Sequence, residues 1–172
     1  MNNGQRIMAS LWFDKDTEAA INLYISTFNG APHPRGTSKI ISLTRYEPGM
    51  EVPGAEEMVG RILTAIFELD GQRFMALDGG PIFKFNEAIS FYVECEDQAE
   101  VDYFWQCLSA APESEQCGWL KDKFGLSWQI IPKQMGEILG SPNRQKALAA
   151  TNAMLKMKKI VITDLQKAFD EA

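Results

Sequence analysis

The chain offers few parts from which chemistry could be built. Its only histidine, His33, sits in the proline-flanked loop APHPRG. The three cysteines, Cys95, Cys107 and Cys117, make an odd number with no CxxC spacing, which suits a reduced, cytoplasmic protein better than a disulfide scaffold. Cys117 precedes Gly118 and Trp119, with Lys121 and Lys123 close by. A nucleophilic thiolate also needs a base, and without a nearby histidine the structural reading is the stronger one. Glu94 and Glu96 flank Cys95 at the end of a strand, where solvated acids are common. One amide remains. In CGWLKDKFGLSWQIIP, residues 117–132, Gln129 stands alone on a strand otherwise built from Trp, Leu and Ile.

The elements that must position these side chains follow from hydrophobic spacing. RIMASLWF, 6–13, reads as a strand, and TEAAINLYISTF after it puts Ala20, Ile21, Tyr24, Ile25 and Phe28 on one helix face. Asp16 or Thr17 can cap that helix. ISLTRYE, RILTAIFEL and RFMALD read as strands, the last two joined by the hairpin signal Asp70-Gly71. The pattern then restarts. SFYVECEDQAEVDYFWQCL, 90–108, aligns with SLWFDKDTEAAINLYISTF, 10–28, at a constant offset of 80. The second copy closes in a hairpin turning through Asp122-Lys123-Phe124-Gly125.

Each copy reads as βαβββ, over 6–80 and 86–132, within one α+β domain spanning 1–172. The two copies can join their sheets into a curved mixed surface, with helices outside and a cleft inside. C-terminal helices fill 133–172, one starting at Ser141-Pro142 and a short last one after Thr163. Side-chain alternation puts Ser127 and Ile131 on the side of Gln129. The same parity assigns Leu11, Phe13, Phe91 and Val93 to the cleft and packs Trp12, Tyr92 and Trp128 under helices.

The bulk numbers exclude several classes. A formal net charge of -6 argues against a nucleic-acid partner, which needs clustered Lys and Arg. The one basic cluster, KMKK at 156–159, suits the end of a helix. MNNGQRIMASLWF has no signal-peptide pattern, and no stretch has the roughly 20 apolar residues a membrane span requires. The glycines mark turns, with no GxGxxG loop leading from a strand into a helix, as a nucleoside cofactor would need.

LWFDKDTEAAINLY, FELDGQRFMALDGG, FNEAISFYVECEDQAEVDYFW and CGWLKDKFGLSWQIIP resemble the PhnB-like branch of the vicinal-oxygen-chelate superfamily. The superfamily includes glyoxalase I, extradiol dioxygenases and antibiotic-resistance proteins, and this branch also carries the label demethylubiquinone methyltransferase. The resemblance implies a glyoxalase-type fold and a homodimer. Metal-using relatives place ligands on the first strand of each module and on the last strand of the second. By position these become Ala9, Ile89 and Gln129, or Ser10 and Ser90 for the first two after a one-residue slip. Neither Ala nor Ile offers a donor atom, and an amide is a weak neutral ligand. The metal position therefore reads as vacant, and no cofactor is expected. The reading that results is a metal-free protein that binds, or acts on, a small and largely apolar molecule, with Gln129, Leu11, Phe13, Phe91, Ser127 and Ile131 around it. The alternatives are a metal-dependent glyoxalase- or dioxygenase-type enzyme and, from the family label alone, a methyltransferase.

Overall fold

A computed structural model describes residues 5–172. The first four residues of the N-terminal stretch read for a signal peptide lie outside them. The chain divides into a unit that ends at Phe85 and a second unit, Asn86–Ala172. The strands form two mixed sheets, one in each unit.

In the first unit, β1 (Ala9–Phe13) leads into α1 (Thr17–Asn29). β2 (Lys39–Arg45), the short α2 (Ala55–Met58), β3 (Ile62–Leu69) and β4 (Gln72–Asp78) follow. The strand order is β1-β4-β3-β2, with β1 parallel to β4 and the other pairs antiparallel. Helix α1 buries Ala20, Ile21, Tyr24 and Phe28, the spacing anticipated for one apolar face, and packs on β3 and β4. Neither Asp16 nor Thr17 caps it with a side chain. The buried carboxylate of Asp78, brought to the helix start by its register with Phe13, does so instead. Its oxygens accept from Thr17 N at 3.0 Å and Ile62 N at 3.2 Å. Asp70 and Gly71 have φ of 45° and 84°, as a two-residue hairpin turn requires.

The second unit repeats this plan with one strand fewer. β5 (Phe91–Cys95) leads into α3 (Gln98–Leu108), and β6 (Trp119–Lys121) and β7 (Ser127–Pro132) follow in the order β5-β7-β6. β5 runs parallel to β7, as β1 does to β4. The expected counterpart of β2 is not formed. Ala110 N and Gln116 N instead donate to Lys121 O and Trp119 O, at 3.0 and 3.1 Å, along the outer edge of β6. Val101, Phe104 and Leu108 of α3 join Cys95, Leu120, Trp128 and Ile130 among the buried residues. Asp97 caps α3 by accepting from Glu100 N at 3.0 Å, while Glu100 Oε2 accepts from Glu96 N at 2.7 Å.

Three helices complete this unit: α4 (Lys133–Leu139), α5 (Arg144–Met154) and α6 (Ile162–Asp170). α5 starts later than the Ser141-Pro142 signal suggests. Asn143 caps it, accepting from Lys146 N at 3.3 Å. α6 begins one residue before Thr163. Among the described residues, no helix is long and apolar enough to cross a membrane.

Candidate functional site

The second sheet carries a row of side chains that its register puts side by side. Gln129, on the central strand, is opposite Tyr92 on β5 and opposite Trp119 on β6. Paired residues in a sheet point to the same face, so an amide stands between two aromatic rings. Neighbouring strands are about 4.8 Å apart, which sets the rings roughly 10 Å from one another at their bases. Gln129 Nε2 donates to Ser90 Oγ at 2.8 Å. Among the described residues, Gln129 Oε1, the Tyr92 hydroxyl and the Trp119 indole N–H have no hydrogen-bond partner. Partial burial, with Glu94 and Cys95 adding to it, pushes the Tyr92 phenol above its ordinary value. It therefore stays protonated and can donate.

One row along, Ser127 pairs with Lys121. Ser127 is 1% exposed, and its hydroxyl is buried without a partner. Lys121 forms an ion pair with Glu87, and that hydrogen bond is the main reason the Glu87 carboxyl lies below its ordinary value. In the opposite direction the next row pairs Ile131 with Glu94 on β5. Ile131 is 2% exposed and packs with Ile138, Ala150, Ile160 and Leu165 of the C-terminal helical region.

The sequence-derived residues divide accordingly. Gln129 and Ser127 share a face, as read. Leu11 and Phe13 do not line an open surface. They are buried with Phe74 and Ala76 on the side of β1 and β4 that faces α1. Phe91 is in register with Trp128, not Gln129, and meets its ring edge-on at 5.5 Å between centroids. Tyr92, expected under a helix, is 57% exposed on the face of Gln129. Trp12, also expected under a helix, is on the side opposite Leu11 and Phe13, and its indole N–H donates to Gly80 O at 2.9 Å. The assignment of β1 and β5 was one residue out of phase, and such a slip turns every side chain to the other face. Ile131 has the right parity, but the helices cover it. The Tyr92–Gln129–Trp119 row was missed, although part of its signal was present. Counting outward from the 122–125 hairpin pairs Trp119 with Gln129.

The two placements that the resemblance implies on the second module differ in their surroundings. Ile89 is 69% exposed, whereas the Ser90 hydroxyl accepts from the Gln129 amide. A hydroxyl and an amide already bonded to each other make a poor donor set for a transition metal, which favours imidazole, thiolate or carboxylate. Among the described residues, no three His, Cys, Asp or Glu side chains gather in a group able to hold a metal ion. A nucleoside cofactor fits no better. The β1–α1 and β5–α3 connections carry acids and no glycine. Carboxylates of Asp78 and Asp97 already occupy the helix starts where a cofactor's anionic group would bind.

A family model for 3-demethylubiquinone-9 3-methyltransferase matches residues 5–131. The chain belongs to this family. It is the PhnB-like family of the vicinal-oxygen-chelate superfamily. A PhnB protein from Bacillus cereus is 34% identical, with a TM-score of 0.58 over 74% of this chain and 99% of its own. Protein PA1353 from Pseudomonas aeruginosa, 17% identical, shares the fold with a TM-score of 0.55, over 75% of this chain and 98% of its own. No match was found among curated proteins.

Proposed function

We propose that this PhnB-like protein binds a small, neutral, largely apolar organic molecule on the open face of its second sheet, without a metal ion. The Tyr92–Gln129–Trp119 row carries the reading: two aromatic side chains flank an amide, and the amide oxygen, the Tyr92 hydroxyl and the Trp119 N–H bond to nothing else among the described residues. Binding sites for small organic molecules are typically of this kind, mostly apolar with a few placed polar groups. Gln129 is the orienting group, held by Ser90. The proposal includes a homodimer, on the family resemblance, and a cytoplasmic location, supported by three cysteines that form no disulfide. No reaction is assigned.

The test is ¹H–¹⁵N NMR of the purified protein with phenol, benzoate and benzylamine, alongside elemental analysis. Phenol should move the Trp119 indole and Gln129 side-chain amide signals, and the two charged compounds should move them less. Gln129→Ala should weaken phenol binding about fivefold, the worth of one hydrogen bond near 1 kcal/mol. Indifference of both signals to every compound would defeat the proposal. So would a stoichiometric divalent metal lost on Gln129→Ala, which would favour the glyoxalase- or dioxygenase-type enzyme. That second reading draws on Glu94, which pairs with Ile131 and faces the side of Gln129.

A further inference from the structure

The family match stops at residue 131, and α4 begins at Lys133. The Bacillus cereus protein is covered over 99% of its length while covering 74% of this chain, so 100 − 74 = 26% of this chain has no counterpart there. Helices α4, α5 and α6 are therefore an addition to the family's common body, and where they attach matters. They bury Ile131, which alternation puts on the face of Gln129. The pair lie two steps apart along the strand, about 6.6 Å at the usual rise.

The attachment is rigid. Cys117 N and Gly118 N, at the tip of the turn before β6, donate to Met157 O and Lys158 O at 2.8 and 2.7 Å. A Cβ on Gly118 would lie 2.5 Å from Ile131 Cδ1 and 3.2 Å from Ile160 Cγ1, so no space remains among these three. On the other side of the sheet, Gln98 Nε2 donates to Ile160 O at 3.1 Å and Gln98 Oε1 accepts from Ile162 N at 2.9 Å.

We infer that the added helices, acting through Ile131, form an end wall that limits the length of the molecule bound beside Gln129. Resting on the proposed binding role of this face, the inference makes Ile131 a specificity-determining residue and not a lining residue of an open cleft. The opposite end of the face holds the Ser127 hydroxyl and the Lys121–Glu87 ion pair. An apolar tail therefore runs along β7 towards Ile131, with Glu94 on β5 beside it, and a polar one away from it.

The probe is a series of 4-alkylphenols, from methyl to hexyl, titrated into the full-length protein by NMR. For the wild type, affinity should rise about fourfold per buried methylene and then break off sharply at one tail length. Ile131→Ala should move the break to longer tails by two or more carbons, and Ile131→Val, the milder change that keeps the fold if the first does not, by one. Gln129→Ala should weaken every member about equally and leave the break in place. A break unmoved in Ile131→Val, or no break in the wild type, overturns the wall while phenol binding itself leaves the site reading intact. If no alkylphenol binds the wild type at all, both fall.

Discussion

Replacing Gly118 with alanine separates two costs that usually arrive together. The residue occupies the second central position of a turn in which Trp119 N donates to Gln116 O at 2.8 Å and Gln116 N donates to Trp119 O at 3.1 Å. Its φ is +87°, a region that costs a non-glycine residue about 1–2 kcal/mol. The new Cβ would also lie 2.5 Å from Ile131 Cδ1 and 3.2 Å from Ile130 O. Ile131 has little room to yield, being packed against Ile138, Ile160 and Leu165, and overpacking of this kind costs about 1–3 kcal/mol. The expected loss is thus about 3 kcal/mol, a large share of the roughly 5–15 kcal/mol typical of a folded domain. Gly125 supplies the control. Its φ is also +87°, and nothing lies within 4 Å of its would-be Cβ, so Gly125→Ala should cost only the backbone share, about 1 kcal/mol. In urea, with a slope near 2 kcal/mol/M, the midpoint should fall by about 1.5 M for Gly118→Ala and about 0.5 M for Gly125→Ala, each with an unchanged slope. Equal losses in the two variants would refute the claim that Gly118 is fixed by the packing of Ile131.

Asp122→Ala should cost about 2–4 kcal/mol in the same assay, because the buried carboxylate accepts from Phe124 N, Leu126 N and Trp128 Nε1 at 2.8–3.0 Å and its loss strands all three donors. Gln129→Ala, by contrast, should cost under about 1 kcal/mol, since it removes one partly buried hydrogen bond to Ser90; a loss above about 2 kcal/mol would make Gln129 a structural residue. The Glu115 carboxyl is held below its ordinary value of 4.5, chiefly by the Ser109 hydroxyl and then by Lys158. Its contribution to stability is therefore present above pH 4.5 and lost as pH falls through the depressed value: wild type should exceed Glu115→Gln in melting temperature at pH 7 and converge with it in acid, and a gap that persists there would refute the assignment.

The fold was legible wherever two independent signals agreed. The α1 spacing, the Asp70-Gly71 turn and the 80-residue repeat each have a pattern that few other structures satisfy, and each appears in the structure. What failed was phase. β1 and β5 each carry a large ring on the side away from their helix, Trp12 and Tyr92, so aromatic content does not say which side is buried, although Glu94 marks the outer side of β5. Leu11 and Phe13 could be exchanged with Trp12 on paper at no cost. Only pairing fixes the choice, through Leu11 opposite Ala76 and Phe91 opposite Trp128. Long-range capping was illegible for a similar reason. Asp78 serves the start of α1 from 61 residues away, and no local pattern announces it. The cover over Ile131 was equally hidden, because the helices that provide it follow in sequence with no mark of where they return.

The neutrality expected of the proposed ligand follows from how Gln129 is held. A carboxylate at that position, beside a wall of apolar helices and with no cation to meet it, would lose hydration without compensation. An amide bonded to a serine hydroxyl has no such cost, because the pair is neutral and half satisfied internally. The same reasoning extends to the ligand. A polar group placed in the row would meet a carbonyl oxygen, a phenol kept protonated and an indole N–H, none of which can balance a full charge. Of the formal charges nearest the row on this face, Lys121 is neutralised by Glu87, and Glu94, on the row towards Ile131, acts on Lys133. A neutral hydroxyl or carbonyl group can bond in the row as it stands, whereas an anion would have to break the Lys121–Glu87 pair first. Comparing phenol with benzoate at low and high salt therefore tests the site's neutrality directly: benzoate affinity equal to that of phenol, and falling with salt, would mean that Lys121 and not Gln129 governs recognition.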